Sequence, residues 1–170
     1  MGMNTASVQR LYVAYFNRPA DPLAIGDYEK MLPTDRVATQ AELQAVADQY
    51  FSGSAEYTAL YAGLSDAGII DQLYQNIFGR AAEVEGLVYW AAELTGGSQT
   101  LGQIALQLSF SAQGTDADTV NNRIEAATSF TSGLNTADEI TGYSGTAAAA
   151  SARTWLQTVT DDASKTYKLF

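Results

Sequence analysis

The segment Leu73–Leu94, LYQNIFGRAAEVEGLVYWAAEL, has a degenerate earlier copy in Leu11–Leu32, LYVAYFNRPADPLAIGDYEKML. At a shift of 62 positions, Leu11 and Leu73, Tyr12 and Tyr74, Phe16 and Phe78, Arg18 and Arg80, Tyr28 and Trp90, and Leu32 and Leu94 coincide. A repeat that holds Leu-Tyr, Phe, Arg and a second aromatic ring in one register marks a duplicated helix-turn-helix unit. The residues that follow echo each other more loosely, AELQAVADQYFSGSAEY against TLGQIALQLSFSAQGTD, pairing Leu43 with Leu101 and Phe51 with Phe110. Each unit is therefore read as four helical pieces, unit 1 over about 5–63 and unit 2 over about 65–133, with a helical extension over 134–170.

The local signals agree with helices throughout. Asn4 or Thr5 is placed to cap a first helix to about Asn17, with Val8, Leu11, Tyr12, Tyr15 and Phe16 on one face. Arg18-Pro19 stops it, because a residue before proline is pushed out of helical geometry. Asp21-Pro22 predicts a restart as far as Pro33. Thr39-x-x-Glu42 is a capping box, opening a helix with Leu43, Val46, Ala47 and Tyr50 inward. Ser54 and Ser65 cap the next two, the second spanning Asp66–Phe78, and Glu83 or Glu85 stands near the start of another, which Gly96-Gly97 closes.

Thr100 opens a helix carrying Leu101, Ile104, Ala105 and Leu108. A longer one starts at Thr115 or Asp116 and ends at Gly133. Asn135–Gly145 is turn-rich and predicts an irregular connection before a helix over Ala147–Val159, and DDASKTYKLF continues that helix or frays. No alternating strand pattern occurs. The expectation is one all-α domain over 1–170, a bundle of about eight helices.

Composition excludes several functions. Nine Lys plus Arg against 19 Asp plus Glu give a formal charge of −10, which disfavours nucleic acid, whose binding needs cationic side chains to displace counterions. It equally disfavours direct docking on an anionic membrane, and no apolar run is long enough to span one. With no cysteine and no histidine, disulfides, zinc sites and thiol or imidazole catalysis fall away. Ser and Thr lack a histidine base, and no glycine-rich phosphate loop is present. The start, MGMNTASVQRLYVAYF, lacks the charged region, apolar core and cleavage site of a secretory signal. A non-enzymatic protein is expected.

The run Leu73-Tyr74, Phe78-Gly79-Arg80, Gly86-Leu87, Tyr89-Trp90, Leu94 and Gly97 resembles a bacterial helical repeat family with the pattern LY…LGR…GL.YW…L..G. That family is a domain of unknown function found in type I-secreted, calcium-dependent RTX-type proteins and in surface-layer proteins. The resemblance is good over Leu73–Phe110 and weaker over Leu11–Phe51. In being helical, poor in Cys and His, and unsignalled, the chain also resembles the N-terminal lipopolysaccharide-anchoring domain of Caulobacter-type surface-layer proteins. The resemblance implies an extracellular location at the cell surface, in an S-layer, after type I export through a C-terminal signal. It also implies binding to lipopolysaccharide O-antigen polysaccharide, and an N-terminal piece of a longer protein that continues beyond Phe170. The alternative is a protein–protein assembly module, acting by self-association without glycan binding.

Candidate site residues cluster in the Leu73–Leu94 copy, with Arg18 from the earlier one. At the turn, Arg18 and Arg80 either satisfy helix carbonyls and carboxylates, which their retention in both copies favours, or contact sugar or phosphate. Tyr89 and Trp90 are adjacent and cannot face the same way, so Trp90 is placed in the core and Tyr89 outside. Tyr89, Tyr74 and Tyr12 are candidates for stacking on a pyranose, against the commoner role of core packing. The expected glycan-binding residues are Arg80, Tyr89, Glu83, Glu85, Arg18 and Tyr74. For calcium, which prefers oxygen ligands, the candidates are Asp116 and Asp118; Glu83/Glu85, Asp138/Glu139 and Asp161/Asp162 are similar acidic pairs, and helix-start charge is the plainer account of all of them. Such pairs also serve glycoside hydrolysis, though nothing in their spacing marks a cleft.

Overall fold

The computed structural model describes residues 2–161 and 163–165 and is all-helical among them. Unit 1 comprises α1 (Thr5–Phe16), α2 (Ile25–Glu29), α3 (Gln40–Tyr50) and α4 (Ala55–Tyr61). Unit 2 comprises α5 (Asp66–Phe78), α6 (Val84–Thr95), α7 (Leu101–Ser111) and α8 (Gly114–Gly133). The extension holds α9 (Ala137–Gly142), α10 (Thr146–Gln157) and a 3-10 turn at Ala163–Lys165. The expectation for the last ten residues therefore falls partly outside the described residues, as does Asp162 of the acidic pair Asp161/Asp162.

Helix α1 is the axis of the bundle. One buried face was expected; instead ten of its twelve residues are buried, including Ser7 and Gln9, because α2, α3, α4, α5, α7 and α8 all pack around it. A helix surrounded in this way must satisfy its polar side chains internally. Gln9 does so by donating to Thr131 Oγ1 and accepting from the Ala20 backbone N–H, both at 2.9 Å. The main core joins both units, from Leu11, Tyr15 and Phe51 to Ile77, Ile104 and Leu106, and takes in Leu156 and Val159 of the extension. A smaller cluster of Phe130, Leu134, Tyr143 and Ala152 holds α9 and α10 on the end of α8.

Most starts are where the caps predict. Thr39 and Thr100 form reciprocal capping boxes with Glu42 and Gln103, and Ser54 and Ser65 accept from Tyr57 and Gly68. Four expectations are corrected. Asn4 sits at the α1 N-cap position but makes no capping bond; its amide instead joins Pro33 O, Arg36 O and the Ala38 N–H. The Asp21-Pro22 restart does occur, with the Asp21 side chain accepting from Leu23 N–H and its carbonyl from Ile25 N–H, but the helix proper is only the five residues of α2. Tyr50 lies at the frayed end of α3 and is exposed, its ring against Tyr28. The connection after α8 contains α9, opened by a Thr136–Glu139 capping box.

Candidate functional site

The two copies of the turn build the same device. After α1 the chain turns through Asn17 at φ 50°, and after α5 through Gly79 at φ 74°, both left-handed. The following arginine folds back over the two rings one helical turn apart. Arg18 lies 5.1 and 5.5 Å from the Tyr12 and Phe16 centroids, and Arg80 lies 5.4 and 5.6 Å from Tyr74 and Phe78. Each guanidinium then grips an acid in the first turn of the unit's fourth helix through Nε and Nη2. Arg18 holds Glu56 at 2.7 Å on both oxygens, and Arg80 holds Asp116 at 2.9 and 2.6 Å. A third contact repeats as well: the N–H of Ala20 or Ala82, two residues after the arginine, donates at 2.9 Å to Gln9 or Asp71 on the first helix.

The surroundings of the two clamps differ. Around Arg80 the cover is thin, and Glu83 adds a second, exposed carboxylate at 2.6 Å. The bond to Asp116 raises the Arg80 pKa above its ordinary value. Around Arg18 the extension closes in: the Tyr143 hydroxyl donates to Pro19 O at 2.7 Å, and Arg153 of α10 reaches Glu56 Oε1 at 2.6 Å. Burial alone lifts the Glu56 carboxyl, but Arg18 and Arg153 outweigh it, and the net pKa is lowered.

Between this clamp, α4 and the start of α10 lies a cleft of about 680 Å³. Ala55, Ala59, Leu60 and Ala149 contribute its apolar surface, while Arg18, Asp21, Glu56 and Arg153 contribute its charges. An apolar pocket of this size with a few convergent polar groups has the make-up of a small-molecule site.

The residues singled out from sequence divide into three groups. Arg18, Arg80 and Asp116 are clamp members, and Tyr74 is a buried floor ring whose phenol oxygen lies only 2.6 Å from where a Cβ on Gly86 would be. That close approach is why α6 carries glycine there. Tyr89 and Trp90 part as expected, Trp90 buried and Tyr89 53% exposed, edge to face at 4.8 Å. Glu83 is tied to Arg80, and Glu85 is exposed in the first turn of α6.

The expected glycan face is thus split: Arg80, Glu83, Glu85 and Tyr89 stay on unit 2, and Arg18 lies with the cleft on unit 1. Asp116 gives both oxygens to Arg80, and Asp118 lies apart in an open hollow beside Asn122 and Asp161. Among the described residues no three His, Cys, Asp or Glu side chains gather into one group. Glu139 and Asp161 cap their own turns through Thr136 and Ser164. Sequence reasoning passed over Asp21, Glu56, Tyr143 and Arg153. Glu56 had one available signal, since it sits near the start of a helix in unit 1 as Asp116 does in unit 2.

A second buried cation was also unforeseen. Arg123 of α8 is fully buried and has no carboxylate partner among the described residues. It donates to Gln75 O and Asn76 O at the end of α5, and to Gln157 O and Val159 O at the end of α10. Two helix C-termini, each carrying partial negative charge, converge on one guanidinium. Burial still lowers its pKa to about 10.

Residues 48–115 match the family model described as Domain of unknown function (DUF4214), from the end of α3 to the start of α8. The matched region contains the whole Leu73–Leu94 repeat. No curated protein and no solved structure matches the chain. Among the described residues no helix is long and apolar enough to cross a membrane.

Proposed function

We propose that the chain is a non-enzymatic cell-surface anchoring domain of a secreted surface-layer or RTX-type protein, binding lipopolysaccharide O-antigen polysaccharide. The observation that carries this reading is the cleft beside the Arg18 clamp. Its alanine and leucine surface suits the C–H faces of a sugar, and its rigidly held guanidinium and carboxylate groups suit the hydroxyl edges. The acidic chain disfavours an anionic polymer on its own, so calcium bridging belongs to the same proposal. Isothermal calorimetry of the full chain with purified O-antigen polysaccharide, with and without about 2 mM calcium, in the weak range of extracellular sites, tests it. Saturable binding in either condition is expected; none in both overturns the reading.

One observation favours the alternative of an assembly module. Helix α6 packs on α5 and leaves Val84, Val88 and Tyr89 exposed at 76%, 64% and 53%. Light scattering of the unliganded chain separates the two: self-association lost in Val88→Asp supports assembly, and a monomer at all concentrations removes it.

A further inference from the structure

We propose that the cleft between α4 and α10 takes an uncharged sugar ring bearing vicinal hydroxyls, and selects it against acidic and amino sugars. The proposal rests on the polysaccharide reading and commits it to one place and one ligand chemistry.

The four charged side chains lining the cleft cancel, Arg18 and Arg153 against Asp21 and Glu56. Their hydrogen-bonding capacity does not. Arg18 has four of its five N–H groups engaged: Nε and one on Nη2 with Glu56, and Nη1 with Pro19 O and the Tyr143 hydroxyl. Glu56 Oε1 already accepts from two guanidinium groups. Arg153 is mostly buried, yet among the described residues it donates only through Nη1, which leaves the N–H groups of Nε and Nη2 without a protein acceptor. Asp21 uses Oδ1 for the Leu23 N–H, and Oδ2 has no protein donor among those residues.

The cleft therefore presents unfilled donors from a cation and an unfilled acceptor from an anion, with no net charge behind either. A carboxylate or phosphate would satisfy Arg153 but face Asp21 and Glu56, and an ammonium would meet two arginines. A hydroxyl both accepts and donates, so a pair of neighbouring hydroxyls matches both ends without a Coulomb penalty. The alanine surface of α4 and α10 between them is open to the C–H face of the ring.

The test is a nuclear magnetic resonance titration of the full chain with three methyl hexosides of unmodified glucose, galactose and mannose. Methyl glucuronide and glucosamine serve as the acidic and cationic probes. At least one neutral hexoside should shift the Ala59 and Ala149 amides and the Arg153 Nε–H saturably, with both charged probes at least about tenfold weaker, roughly 1.4 kcal/mol.

Ala59 is exposed on α4 and outside the ion-pair network, so Ala59→Trp fills the cleft while keeping the melting temperature; it should abolish those shifts. Equal or tighter binding of either charged probe, no saturable shift with any neutral hexoside, or unchanged binding by Ala59→Trp overturns the inference. The two readings also fail separately. O-antigen binding that Ala59→Trp leaves intact removes the cleft and keeps the anchoring function. Hexoside binding in the cleft without O-antigen binding does the reverse.

Discussion

The turns after α1 and α5 are two solutions to one local problem, and they diverge only in what surrounds them. In both, an arginine lies over a Tyr/Phe pair and holds a carboxylate at the start of the fourth helix. The Arg18 side chain is 12% exposed and the Arg80 side chain 38%. Unit 2 leaves its clamp near solvent and braces the end of α5 from behind with Arg123. Unit 1 has its clamp roofed by the extension, whose Arg153 turns a structural ion pair into one wall of a cleft. The repeated turn is the common scaffold, and α10 with the Arg18 turn and α4 walls the candidate site.

The largest expected effect comes from removing what unit 2 alone possesses. Arg123→Met keeps the volume and relieves a desolvated charge, but it strips donors from four carbonyls at two helix ends. A loss of about 4 kcal/mol in urea unfolding is expected, and less than about 1 would mean that solvent replaces the guanidinium. Next, Arg18→Ala should cost about 3 kcal/mol, because it leaves Glu56 partly buried with one partner. Arg80→Ala should cost about 1 kcal/mol, since water screens its acids. Equal losses for the two would end the contrast between the clamps.

The smallest effect is pH-dependent. The folded pKa of Glu56 is lowered from the unfolded 4.5, so its contribution is complete above that pH and fades as pH falls through the folded value. The stability gap between the native chain and Glu56→Gln should shrink below about pH 4.5 in acid-series thermal melts. A constant gap would show that the carboxylate charge is not what Arg18 and Arg153 hold.

Local chemistry was readable in the sequence wherever partners sit three or four residues apart. The capping boxes at Thr39 and Thr100, the serine caps at Ser54 and Ser65, and the opposed faces of Tyr89 and Trp90 are of this kind. Arg18 and Arg80 were legible as turn donors, but their acceptors lie 38 and 36 residues away, beyond what spacing can pair. Arg153 meets Glu56 across 97 residues, so the cleft has no sequence signature at all. Arg123 stayed hidden for another reason: an arginine on a helix reads as surface, and only the convergence of two helix ends makes its burial tolerable. The Thr136–Glu139 box was overlooked inside a turn-rich stretch, although it is as regular as the box at Thr39.

The central position of α1 has a kinetic consequence. Of the described helices α1 is made earliest, yet its covering helices α7 and α8 come a hundred residues or so later, with Gln9 bonding Thr131 across 122 positions and Tyr143 bonding Pro19 across 124. Long-range closures of this kind slow folding, because loop entropy is lost before the contacts form. The rings of α1 are covered within unit 1 by Tyr28, Phe51 and Tyr57, but its opposite face, with Gln9 and Arg10, is covered only when α7 and α8 arrive.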